Sequence, residues 1–396
     1  MTLGMAAPEE KDGGPSKEQI AQAIRLRNAL QLSGGGRNLN STVVADAETL
    51  DIARKLSFSA ALDGTTDSMD AQQVQIVIRI RPLISDPEAS STTTNRRESA
   101  EHGECFRVVS DTAMIAQPPK TSQAYRSTGT ATSFQFSRIF PPETAQRDLF
   151  EATTKPVIHA AFEGKSGLVF AYGVTNSGKT YTISGTDDKP GVLPRALKYA
   201  IQEMTRRKEN EAQPVTHVTA SYLEIYNENV YDLLAAPAKR KRRALRLQDC
   251  DGKIQVKGML EKPINSIKDG EDILATGTKN KQVAETNCNT DSSRSHCVFT
   301  LHFYHKTSQS GMALRSKVSI VDLAGSERSA KTGATGLRMQ EASKINGSLM
   351  NLMRCLETLR WNQQHPPALH KMVPFRESKL SRLFQETWWV RRLDRW

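Results

Sequence analysis

From about residue 73 onward, short apolar runs of strand length alternate with stretches of helical period. The run Val74-Gln75-Ile76-Val77-Ile78-Arg79-Ile80 opens this region, and Leu168-Val169-Phe170-Ala171-Tyr172 is continuously apolar. Residues 216–226, 297–305 and 317–322 also read as strands. Helices are predicted over 178–184 and 268–278 and from about 340 to 361. The alternation predicts an α/β domain, with a mixed, mostly parallel sheet flanked by helices on both faces. Ahead of it, residues 1–72 read as a poorly ordered N-terminal extension. Within that extension a capped helix is predicted from Pro15-Ser16 to Leu32, striped by Ile20, Ala23, Ile24 and Leu30 and stopped by Gly34-Gly35-Gly36. A second amphipathic run covers 46–56. Ser85 to about Thr132, rich in Ser, Thr and charge, reads as a long surface insertion.

Charge adds a partner class. The chain of 396 residues carries a net charge of +11, which predicts an acidic polymer as partner without choosing which one. Over Leu352–Trp396, Lys and Arg outnumber Asp and Glu by nine to four. The run Lys239-Arg240-Lys241-Arg242-Arg243, with Arg246, reads equally as a nuclear address, an electrostatic contact or a solvated loop. Five scattered cysteines, without a C-x-x-C pair or clustered histidines, fit a reduced cytosolic protein lacking structural zinc. No apolar stretch of membrane length and no secretory signal stand out in the sequence.

The chemistry is carried by three segments. Gly173-Val174-Thr175-Asn176-Ser177-Gly178-Lys179-Thr180 follows the apolar run and fits G-x-x-x-x-G-K-[ST]. Backbone N–H groups of such a turn wrap a polyphosphate, and the following helix aims its positive end at the same charge. Lys179 reaches the outer phosphates, and the Thr180 hydroxyl suits a bound Mg²⁺. Further on, Asn289-Thr290-Asp291-Ser292-Ser293-Arg294-Ser295-His296 sets hydroxyls beside an arginine. Val318-Ser319-Ile320-Val321-Asp322-Leu323-Ala324-Gly325-Ser326-Glu327 is an apolar strand ending in a carboxylate, then a glycine whose backbone N–H can approach a phosphate. Alone, either of these last two segments also reads as an ordinary polar turn. In this order, the three describe an NTPase whose two downstream loops respond to a γ-phosphate.

With these strings the chain resembles the kinesin motor domain, including its N-x-x-S-S-R-S-H and D-L-A-G-S-E switch segments. Further blocks carry the likeness: Val74 to Leu83, Phe134-Gln135-Phe136 to Phe140 with Thr144 and Gln146, Ser221 to Glu228 with Tyr231 to Leu234, and Val373 to Leu380. Coverage runs from about 72 to 386. Ile345-Asn346-Gly347-Ser348-Leu349-Met350, Leu359 to Gln363 and Lys371 to Pro374 look like the mitotic kinesin-like proteins of the central spindle in cytokinesis.

The resemblance implies a kinesin-type phosphate-loop ATPase that uses ATP and Mg²⁺ and binds microtubules in the cytoplasm or on the spindle, with nucleic acid and membrane not expected as partners. Lys179 stabilises the β- and γ-phosphates. Thr180 and Ser293 ligate Mg²⁺, with Asp322 acting through its water shell. Ser292 and the Gly325 N–H touch the γ-phosphate, and Arg294 and Glu327 close as an ion pair. Arg79, Arg81 and Pro82 border the adenine, and Tyr181 either stacks on it or packs on the helix face. Lys379 and Arg376 lead the filament contacts, followed by Arg382, His370 and Lys371. A relay helix, 340–361, links nucleotide to filament through Asn346, and Gly347 weakens it.

The motor-like region is expected to span 73–386 and to lack the family's last strand, which lies beside the first strand and the one feeding the phosphate loop. Its loss would leave unpaired backbone groups. The Trp-rich ending, 387–396, matches no motor element, and no heptads support dimerisation. Two alternatives stand beside the motor: a non-motile microtubule- or nucleotide-binding protein, and another phosphate-loop enzyme such as a nucleic-acid translocase.

Overall fold

The computed structural model describes residues 74–82, 106–117, 131–208, 215–236, 242–250, 253–288, 292–307, 311–327 and 336–389. The helices expected within 16–32 and 46–56 lie outside them. In chain order the elements are β1 (Val77–Arg79), β2 (Phe106–Val108), β3 (Ala113–Ala116), β4 (Thr132–Gln135), β5 (Arg138–Phe140) and α1 (Gln146–Phe162). Next come β6 (Gly167–Ala171), α2 (Lys179–Ile183), α3 (Val192–Arg207), β7 (Val215–Tyr226), β8 (Asn229–Asp232), β9 (Arg246–Cys250), β10 (Lys253–Lys257) and β11 (Lys262–Pro263). The remainder are α4 (Ile267–Cys288), β12 (His296–Lys306), β13 (Met312–Asp322), α5 (Leu337–Gln364), α6 (Lys379–Leu383) and α7 (Gln385–Trp389).

The described residues fall into two compact units, one holding 106–117 and 131–135, the other holding 74–82 and those from 136 onward. In the first, β2, β3 and β4 form an antiparallel sheet, so part of the expected surface insertion is ordered strand. The second holds a six-stranded sheet, ordered β11-β7-β12-β13-β6, with β8 also paired to β7.

The expected α/β architecture is present, but its sheet is not mostly parallel. Among the described strands only β13–β6 and β1–β5 run parallel. The reason is connection length. Only a few residues separate β12 from β13, with the Thr307 N–H donating to Gly311 O at 2.9 Å, and strands joined that closely have to be antiparallel. β7 and β8 are likewise joined by Asn227-Glu228, both left-handed at φ 51° and 58°. Also among the described strands, β6 pairs with β13 alone and β1 with β5 alone.

Strand alternation feeds a core on each face. Phe299, Leu301, Phe303, Val318 and Ile320 pack with Phe162 of α1, Leu197 and Ile201 of α3, and Ile273 of α4. Val298, Val321 and Leu323 pack on the other face with Ile345, Leu349, Leu352 and Leu356 of α5 and Leu380 of α6. Sequence periodicity missed α1 and α3. Gln146 and Thr154 interrupt the stripe of α1 and the exposed Pro156 reads as a helix breaker, whereas Val192, Leu193, Ala196, Leu197, Ala200 and Ile201 form a clean stripe in α3.

One buried ion pair ties α3 to this core. Glu203 accepts from Arg206 and, at 2.6 Å, from buried Arg207, which also lies over the Phe162 ring. The Arg206 bond, then Arg207, outweigh burial and hold the Glu203 carboxyl down to about 2, against an ordinary 4.5. A depressed carboxylate stabilises the fold fully above pH 4.5, and this is lost as pH falls towards 2. Glu203→Gln is expected to cost about 3 kcal/mol in urea denaturation at pH 7, because it strands the Arg207 charge. The difference from wild type should shrink as the pH is lowered through that window.

Candidate functional site

Strand register explains why three distant segments meet. β6 and β13 run parallel with Ala171 opposite Asp322, so both end at one edge of the sheet. β12 runs antiparallel with Cys297 opposite Asp322, so its beginning lies at the same edge. The phosphate loop leaves β6, the Asp-x-x-Gly loop leaves β13, and the 3₁₀ turn Ser292–Arg294 enters β12 there.

The loop between β6 and α2 is shaped by backbone that side chains resist. Gly178 caps α2 at φ 96°, and Asn176 sits at φ 64°. A Cβ on Gly173 would lie 2.7 Å from Ser177 Oγ. The Lys179 ammonium donates to Val174 O at 2.7 Å, arching over the loop.

The three segments are in hydrogen-bond contact. Thr180 Oγ1 donates to Asp322 Oδ2 at 2.7 Å. Thr175 gives its N–H to Glu327 Oε2 at 2.9 Å and its hydroxyl to Oε1. Gly325 N–H donates to Ser293 O at 2.7 Å, and Ser326 N–H to Gly173 O at 3.2 Å. Asp322 Oδ1 is buried with no hydrogen-bond partner. A carboxylate with one spare oxygen, beside the hydroxyl-bearing Thr180 and Ser293, is a hard-oxygen set suited to Mg²⁺. Residues 289–291 and the Ser292 side chain lie outside the described residues.

Two expectations are corrected. Arg294 and Glu327 do not pair. Glu327 is held by two donors of Thr175, while Arg294, in its 3₁₀ turn, faces α5 and reaches Glu341 at 3.5 Å. The Gly325 N–H, expected at a phosphate, is given to Ser293 O because the two loops lie against each other.

The residues expected at the adenine lie around α2. Arg79 donates to Gln146 Oε1 at 2.8 Å and Thr182 Oγ1 at 3.0 Å, and its guanidinium lies 5.1 Å from the centre of the Tyr181 ring. Burial lowers the Arg79 pKa from its ordinary value. Gln146 Nε2 donates to Tyr181 O at 2.7 Å. Tyr181 is 39% exposed. Arg81 donates to Asn176 O, and Pro82 is exposed. Gln146 and Thr182 belong to this group, although sequence reasoning did not select them as site residues.

On the basic face, α5 extends the predicted 340–361 at both ends. Arg376 is exposed, and Lys371 lies over the Trp361 ring at 3.7 Å. Lys379 is half-buried and starts α6, its N–H donating to Glu228 Oε2 at 2.8 Å, while His370 lies 2.8 Å from His365 O. Arg382 is partly buried. Asn351 Nδ2 donates to Pro374 O at 3.0 Å and Ser381 Oγ at 2.7 Å, tying α5 to this segment. Arg242, from the basic run, bonds the buried Glu224 carboxylate and lies over Tyr231 at 4.3 Å, so it holds structure. A Cβ on Gly347 meets nothing, so Gly347→Ala is expected to raise stability by about 0.5–1 kcal/mol in a denaturant titration.

Among known proteins, the sequence matches the family described as the kinesin motor domain over residues 79–390. It is 36% identical over 333 residues to human kinesin-like protein KIF13B, covering 81% of this chain and 17% of that protein. To human kinesin-like protein KIF20A it is 31% identical over 423 residues, covering 81% and 46%. The chain thus spans less than half the length of these relatives. The solved structure titled "Structure of a fast kinesin: Implications for ATPase mechanism and interactions with microtubules" aligns with a TM-score of 0.64 and 30% identity, covering 81% of this chain and 83% of that one. Site geometry, strand topology and similarity along most of the sequence lead to one conclusion: the chain belongs to the kinesin motor domain family.

Proposed function

We propose that the chain is a microtubule-stimulated ATPase, the motor part of a kinesin acting on spindle or central-spindle microtubules. The observation that carries this reading is the contact of all three phosphate-facing segments at one sheet edge: Thr180 with Asp322, Thr175 with Glu327, and Gly325 with Ser293. Phosphoryl transfer asks the protein for positioning and charge neutralisation. Lys179 supplies the charge, the loop's N–H groups cradle the phosphates, and Ser292 meets the terminal one. A bound Mg²⁺ would supply charge neutralisation at the outer phosphates. Thr180 and Ser293 would hold it, with Asp322 acting through water. Arg79, Arg81, Pro82 and Tyr181 form the base-binding side.

Arg376, Lys371, Lys379 and their neighbours supply the face for the acidic filament. The spindle assignment draws support from the resemblance carried by Ile345 to Met350, Leu359 to Gln363 and Lys371 to Pro374. Among the described residues, no helix is long and apolar enough to cross a membrane. The reading is tested by sedimentation with microtubules. Binding should be tight with a non-hydrolysable ATP analogue and at least about tenfold weaker with ADP, as expected for a nucleotide-driven switch. Equal binding in both states would contradict it.

A further inference from the structure

His296 closes the hydroxyl-rich string and opens β12, yet has no phosphate-facing role in the account above. It is 2% exposed, and its two ring nitrogens serve two different elements. Nδ1 accepts the N–H of Ala324 at 3.0 Å, the residue directly before Gly325. Nε2 lies 2.9 Å from Ser348 Oγ, in the middle of α5. The Ser348 hydroxyl donates its own proton to Ile345 O at 2.7 Å, so its oxygen accepts from Nε2–H. The hydrogen bonds therefore fix one neutral tautomer, with the proton on Nε2 and a lone pair on Nδ1. Burial, with the nearby Lys179 charge, holds the imidazole down to about 3, in keeping with that neutral form.

A buried histidine often does no more than fill a core. Here the packing comes from Ile345, Leu349 and Leu352 on α5 and from Leu323 and Ala324 beside it. The ring instead makes a polar bridge through that apolar layer. Three residues beyond Ser348 on the same helix stands Asn351, bonded to Pro374 O and Ser381 Oγ on the basic face. A continuous path of hydrogen bonds joined by one helix therefore leads from Ala324, directly before Gly325, to the basic face.

We propose that His296 is a positioning residue that carries the movement of the Gly325 loop to helix α5 through Ser348. This rests on the chain being a microtubule-stimulated ATPase. A displacement of Ala324 moves the acceptor nitrogen's partner, and the rigid ring passes that displacement to the serine on α5.

The test uses the full chain with His296→Gln, Ser348→Ala and the double variant. Basal ATP turnover should stay within about twofold of wild type, while filament-stimulated turnover falls about tenfold, a typical coupling loss. The double variant should lose no more than either single one, the signature of a shared path. Hydrogen exchange supplies a filament-free readout. In wild type, an ATP analogue should change protection both at 322–327 and along 337–364. In the variants the first response should persist and the second disappear. The proposal is overturned if Ser348→Ala keeps full stimulation and the α5 response, or if the two substitutions act multiplicatively. A wild-type chain without filament stimulation would contradict the proposed function, and the exchange response of α5 would still decide the role of His296.

Discussion

Lys179→Ala is expected to lower ATP turnover by about 10³-fold, with or without filaments, while leaving the fold intact, since a preorganised charge aimed at a transition state contributes effects of this size. The Lys179 side chain arches over the loop, with its ammonium 2.7 Å from Val174 O, and so lies where the outer phosphates would enter. It occupies the first position of α2, where alanine is an excellent helix former. The substitution therefore separates chemistry from folding. Thermal melting should be nearly unchanged, and a fluorescent-nucleotide titration should show weakened ATP binding. Turnover within about threefold of wild type would remove Lys179 from the mechanism.

Gly325→Ala is the second large effect, expected at about 10²-fold or more in turnover, with a smaller effect on nucleotide affinity. Its backbone is not in the left-handed region, so the obstacle is space rather than conformation. An added Cβ would lie 2.4 Å from Glu327 Oε2 and 2.4 Å from Thr175 Oγ1. Both atoms belong to the contact that fastens the phosphate loop to the segment after β13, so the methyl fits only if that contact opens. Gly347→Ala is the matched control, adding the same methyl where nothing is nearby. Comparable losses of turnover in both would show that the effect is not local to the loop junction.

Much of this site was legible in the sequence because its chemistry is written in contiguous strings. A strand feeding G-x-x-x-x-G-K-T, and an apolar strand ending at Asp322, each carry their own structural context. What was not legible depends on which atoms meet across elements. The partners of Glu327 and Arg294 follow from how their loops lie against Thr175 and Glu341, which spacing does not encode. Strand direction was misjudged because an alternation of strands and helices suggests crossovers, whereas β12 returns through a short hairpin. The relay residues left a fainter trace. Ser348 and Asn351 are buried polar positions, three residues apart, within the apolar stripe Ile345, Leu349, Leu352, Met353 and Leu356. Polar residues on a buried helix face need partners, and that need was a sign that α5 is bonded on two sides.

The measurement closest to the central claim is steady-state ATP turnover by the wild-type chain as polymerised tubulin is titrated in. We expect a rise of at least about tenfold that saturates with filament concentration, as the proposed coupling through α5 requires. Turnover that stays flat across the titration, in a chain that binds ATP, would contradict it.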